Sequence, residues 1–159
     1  MKLNRILFVV FAMLLLIPSS FAQDDAAVTN AELEKYAIAM DSIETLKTHL
    51  IATITDMVEN NTKVSASRYN ELSRIVDDST KLVEASATAD EINAIKEIVA
   101  KKQEETNKIN EIFQSLAKDY IGAATYNKVR KALGADAELK SKYDAMMAKF
   151  KEQEESENN

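Results

Sequence analysis

Beyond Pro18 this chain contains no proline, and its only glycines are Gly122 and Gly134. Tight β-hairpins turn on glycine, asparagine and proline, so a sequence this poor in them is driven towards helices. What punctuation remains belongs to helices. Thr29-x-x-Glu32 ahead of Leu33 is a capping box, in which the threonine and glutamate side chains satisfy two amides that the first helical turn leaves without partners. The same device recurs at Thr88-x-x-Glu91 ahead of Ile92.

Behind each box runs a seam with steps of three and four residues. The first is Leu33, Tyr36, Met40, Ile43, Lys47, Leu50, Ile54 and Met57; the second is Ile92, Ile95, Val99, Lys102, Thr106, Ile109, Phe113 and Leu116. The two match at an offset of 59 residues, with Lys47 and Thr106 as equivalent polar interruptions. A second correspondence, at an offset of 57, aligns Ser67 to Leu72 with Ala124 to Val129 and Leu82 with Leu139. We read a tandem duplication. The expected fold is all-α: an elongated up-and-down helical bundle of four to five helices, built from two long-helix/short-helix units at residues 29–87 and 88–150.

Details of that bundle follow from single residues. Gly134 is expected to end a helix in the left-handed conformation and Asp136 to cap the next. At the equivalent place in the first unit, Ser79 could cap a break after Asp77-Asp78, but no glycine compels one. Full antiparallel overlap of the long helices would set Lys47 against Lys102, which favours a parallel arrangement. Residues 151–159 lack apolar side chains and are expected to form a disordered acidic tail.

The first 22 residues carry a different message. Lys2 and Arg5, an apolar run of twelve from Ile6 to Ile17, Pro18, and the small Ser20 and Ala22 before Gln23 form a secretory signal peptide. The run is shorter than the roughly 20 residues that span a bilayer. Cleavage after Ala22 leaves 137 of the 159 residues, one domain's worth, with residues 23–28 as a disordered lead. The expected location is periplasmic or secreted, without membrane insertion once the signal is removed. The chain has no cysteine, so no lipoprotein anchor is available. Loss of Lys2 and Arg5 takes the net charge from −6 to −8, a balance that repels nucleic acid and anionic lipid.

Catalytic chemistry finds little to use. His49 is the one histidine and lies on the flank of the seam, and the residue three before it is Leu46, so no Glu-x-x-His di-iron pair exists. Zinc, EF-hand, P-loop and dinucleotide motifs are missing, so no cofactor or metal is expected. The carboxylate pairs Asp77/Asp78 and Glu104/Glu105 read as wet helix faces rather than as acid and base in a pocket. Residues 101–108 form the most polar helical stretch, a solvated turn or a groove at the bundle's waist.

Tyr69-Asn70 and Tyr126-Asn127 recur at equivalent places and form a candidate interaction surface, together with the adjacent Met146 and Met147. Packing explains the tyrosines more cheaply, with rings against a long helix and hydroxyls to water. Of the two methionines only one can face a core. Asn60-Asn61-Thr62 fits the N-glycosylation triplet. Asp41-Ser42-Ile43 and Asp78-Ser79-Thr80 look like the short triplets that some bacteria O-glycosylate in their envelopes, and only the second lies where the chain is open to an enzyme.

Glu34-Lys35-Tyr36-Ala37, Tyr126-Asn127-Lys128-Val129 and Asp136-Ala137-Glu138-Leu139 resemble the bacterial envelope proteins of the domain of unknown function 4168 family, over roughly Thr29 to Met147. Those proteins commonly show proline where this chain has Ala137. The resemblance implies a secreted helical domain and carries over no catalytic or ligand residue. The expected function is that of a noncatalytic exported envelope protein acting through protein–protein interaction or structural support, with an unidentified protein partner. Both a monomer and a homo-oligomer are compatible with the seams. A periplasmic holdase chaperone is the alternative, with Met40, Met57, Met146 and Met147 as adaptable contacts, and an enzyme is a distant third.

Overall fold

The computed structural model describes residues 27–157. They are all-helical, with six α-helices and no strand among the described residues: α1 (Asn30–Glu59), α2 (Ala66–Leu72), α3 (Ser79–Glu84), α4 (Ala89–Ser115), α5 (Ala123–Ala135) and α6 (Ala137–Glu157). The signal peptide at 1–22 and most of the lead lie outside the described residues.

Both capping boxes form. The Glu32 amide donates to Thr29 Oγ1 at 3.2 Å and the Thr29 amide to Glu32 Oε2 at 2.8 Å. Thr88 and Glu91 repeat these contacts at 3.2 and 2.8 Å. Each box starts a long helix: α1 has 30 residues and α4 has 27, about 45 and 40 Å at 1.5 Å per residue.

The expected four to five helices become six because the segment after α1 holds two separate short ones. Ser65 caps α2 by accepting from the Arg68 amide at 3.2 Å. Asp78, rather than Ser79, caps α3 by accepting from the Lys81 amide at 3.1 Å, and Ser79 becomes the first residue of that helix. α3 ends on Ser86 at φ 52°, with the Ala87 amide bonded to Leu82 O and the Ser86 amide to Val83 O, both at 2.9 Å. That pairing satisfies carbonyls the last turn would otherwise orphan.

The expectation for Gly134 fails. It sits inside the last turn of α5, and the left-handed glycine is Gly122, at φ 92° between a π-turn (Leu116–Tyr120) and α5. α5 needs no left-handed residue at its end because Asp136, with extended backbone, breaks the helix and accepts from the Glu138 and Leu139 amides at 2.9 and 3.0 Å. The expected disordered tail is also corrected: α6 continues to Glu157. Its last turns are made of strong helix formers and are pinned by Lys151 to Glu44 at 2.8 Å and by Thr45 Oγ1 to Glu154 at 2.7 Å.

The described chain divides into two compact units, one holding residues 47–108 and the other residues 27–46 with 109–157. In the first, Ile54 and Val58 of α1 share a buried cluster with Tyr69, Leu72, Val76, Leu82 and with Ile95 and Ile98 of α4. Here α4 sets off from the end at which α1 stops, since Lys63 Nζ reaches Asp90 Oδ2 at 3.1 Å, and it runs back along α1. The parallel expectation is therefore overturned in this unit. Helices of seven and six residues cover only about 10 Å each, too little to return the chain along α1. Lys47 and Lys102 are both half-exposed, as long side chains with apolar stems and solvated heads can be.

In the second unit Leu33, Tyr36, Ala37 and Ile43 of α1 are buried, as are Ile109, Phe113, Tyr126, Val129 and Met147. Three tyrosines and a phenylalanine hold its centre. Tyr126 lies 5.4 Å from Tyr36 and 5.7 Å from Phe113, and Tyr143 lies 5.9 Å from Tyr36, between ring centroids.

Candidate functional site

The residues singled out as an interaction surface mostly face inwards. Tyr69 is 2% exposed, Tyr126 5% and Met147 9%. Asn70, Asn127 and Met146 are half-buried. The tyrosines pack as the cheaper reading expects, with both rings buried and that of Tyr126 stacked at a tilt 5.4 Å from that of Tyr36. Burial raises both phenols above the ordinary tyrosine range, and it pushes Tyr143 up to about 12. Asn127 Oδ1 is buried without a hydrogen-bond partner among the described residues. The two adjacent methionines divide as expected, Met147 into the core and Met146 towards the rim.

What sequence reasoning missed is an ion pair at the start of each long helix. Glu91 of the second box accepts from Arg68 Nε at 2.8 Å, and Arg68 also bonds Glu71 at 2.8 Å and Ala85 O at 2.7 Å. Glu32 of the first box accepts from Lys128 Nζ at 2.8 Å. Both glutamates thus serve twice, capping their own helix and holding a base from the first helix of a return segment. The recurrence of the boxes marks the glutamates in the sequence, but nothing local names the bases.

Arg68 and the Thr88 amide hold the Glu91 carboxyl down at about 2, and Lys128 with the Thr29 amide lowers that of Glu32. Between the folded value and the ordinary 4.5 the unfolded chain binds more protons, so this stabilisation is complete above about pH 4.5 and is lost as pH falls towards 2. Thermal unfolding midpoints measured across that window should fall less steeply in Glu91→Gln than in the wild type. Equal slopes would show that the pair contributes nothing to acid sensitivity.

The polar stretch at 101–108 is an ion-paired helix face. Lys101 meets Glu105 at 2.7 Å, Lys108 meets Glu104 at 2.6 Å, and Gln103 bonds Asn107 at 2.8 Å. Such surface pairs contribute little to stability individually. His49 is exposed on α1, and Asp78 is occupied by its cap and by Lys81 Nζ at 3.1 Å. Within the first unit a shallow polar groove of about 360 Å³ is lined by Asn60, Asn61, Thr62, Lys63, Asp90, Asn93, Ala94 and Glu97. Its amides and carboxylates can donate and accept hydrogen bonds. Among the described residues no three His, Asp or Glu side chains converge as metal ligands, and no helix is long and apolar enough to cross a membrane.

Apolar side chains at the surface are few and specific. Val83 is 78% exposed and Ile51 38% in the first unit; in the second, Ile38 is 38% exposed and Ile112 and Tyr120 are each 40% exposed. Lys35 Nζ stands 5.5 Å from the Tyr120 ring centroid, within cation–π range.

No family model matches the chain, and comparison with curated proteins and with solved structures likewise finds no match. The resemblance of the quoted segments is therefore not extended to family membership.

Proposed function

We propose that this is a noncatalytic, exported helical protein of the bacterial envelope that acts by binding another protein. Export rests on the leader at residues 1–22. The binding role rests on one contrast. Carboxylates and amines pair with one another along helix faces and at helix starts, whereas Val83 in one unit and Ile38, Ile112 and Tyr120 in the other are large apolar side chains left open to solvent.

A tandem origin belongs to the same reading. Tyr69 and Tyr126 are equivalent and both buried, Leu72 and Val129 are equivalent and both 0% exposed, and Glu32 and Glu91 each hold a base from α5 or α2. The holdase alternative draws on methionine, of which Met147 is buried and Met40, Met57 and Met146 are half-buried.

The test combines location with capture. Protein recovered from the envelope should begin at Gln23, and a photo-crosslinking residue at position 83 or 112 should capture a discrete partner in cells while one at Gln103 does not. Equal capture at all three, or none, would sink the binding role, and a chain still carrying Met1 would sink export. A holdase would instead suppress light scattering by a reduced client at near-stoichiometric ratio.

A further inference from the structure

Two Asp-Ser triplets of the acceptor type stand in very different settings. Ser42 lies in the middle of the 30-residue α1 and its hydroxyl donates to Ile38 O at 2.9 Å. Asp41 beside it is half-buried, and burial, followed by the nearby Glu154 and Glu44, raises its carboxyl. Glu44 and Thr45, one turn on, are held by Lys151 and Glu154 of α6. A transferase reaching Ser42 would have to break the hydroxyl's bond and unwind a long, packed helix.

Ser79 shares the exposure of Ser42 but differs in its helix and in its hydroxyl. It follows a turn, next to an Asp78 with extended backbone at φ −108° and ψ 95°, and it is the first residue of a six-residue helix. Ser79, Thr80, Lys81 and Val83 are all exposed, and the Ser79 hydroxyl has no hydrogen-bond partner among the described residues. Of α3's residues only Leu82 is buried. A helix this short has almost no stability of its own, so opening it to fit an enzyme cleft costs little.

The geometry points to Ser79 as an O-glycosylation site, modified in the envelope by a transferase that uses a lipid-diphosphate-linked sugar. Ser79 Oγ would attack the anomeric carbon. The new Oγ–C1 bond forms as the C1–O bond to the diphosphate breaks, the diphosphate leaves with the electron pair, and a base of the transferase takes the hydroxyl proton. This rests on the export reading, because donor and enzyme of this class face the envelope.

One mass-spectrometric experiment tests both and separates them. Protein purified from the envelope of the cells that make it, cut with trypsin, yields Ile75–Lys81 with Ser79 and Tyr36–Lys47 with Ser42. The expected result is a sugar mass increment on Ile75–Lys81, placed on Ser79 by electron-transfer fragmentation, and an unmodified Tyr36–Lys47. Ser79→Ala should abolish the increment and Ser79→Thr should retain it. A chain starting at Gln23 with bare Ile75–Lys81 overturns the proposal and leaves export standing, and comparable modification of Tyr36–Lys47 overturns the accessibility argument. A chain still starting at Met1 overturns export, and the acceptor site with it.

Discussion

Leu72→Ala should lower the free energy of unfolding by about 2–5 kcal/mol, the range for deleting a large apolar side chain from a packed core. Leu72 is 0% exposed and shares its cluster with side chains from α1, α3 and α4. α2 has seven residues and cannot persist alone, so Tyr69 and Leu72 are what anchor it. A domain of this size has only about 5–15 kcal/mol of stability in total. The urea midpoint should therefore fall sharply, and amides of residues 66–84 should lose hydrogen-exchange protection first. Val83→Ala is the control: that side chain is 78% exposed, and its loss should cost less than about 0.5 kcal/mol. Similar midpoints for the two variants would mean that no packed core exists around Leu72.

The two glycines should respond with opposite signs. Gly122 sits at φ 92° and ψ 130°, which residues with a Cβ rarely adopt. The nearest atom to an added Cβ is Thr125 Oγ1 at 3.9 Å, so the penalty in Gly122→Ala is backbone strain and not a clash. Strain of that kind costs about 1–3 kcal/mol. Gly134 lies in α5 with nothing within 4 Å of an added Cβ, so Gly134→Ala should stabilise by up to about 1 kcal/mol. Thermal melts of both variants decide the matter. A stabilised Gly122→Ala beside a destabilised Gly134→Ala would restore the left-handed end to Gly134.

That reversal shows how a local rule misleads. A glycine followed two residues later by aspartate reads as a helix end plus a cap, and the break does fall there. The aspartate alone suffices to make it, so the left-handed residue was needed elsewhere, after the π-turn, where a wide hydrogen bond from Ile121 to Leu116 O at 2.9 Å closes α4's extension. The tyrosines follow the packing explanation instead. Tyr69 and Tyr126 recur because each fills the centre of a core, and recurrence by itself does not distinguish a filled core from a binding surface.

Short-range chemistry is what the residue order settled unaided: helices throughout the described residues, the start of both long helices at their capping boxes, the burial of the seam's Leu33, Tyr36, Ile43, Ile54, Ile95, Ile109 and Phe113, and the cap at Asp136. These depend on hydrogen bonds and apolar spacing within a few positions of one another. Contacts between residues far apart in the chain decided the rest. Arg68 and Lys128 found the capping glutamates across 23 and 96 residues, and α6 gained its last turns by reaching Glu44 and Thr45. The direction of α4 along α1 in the first unit belongs with them, because two short helices cannot carry a chain back the length of a long one.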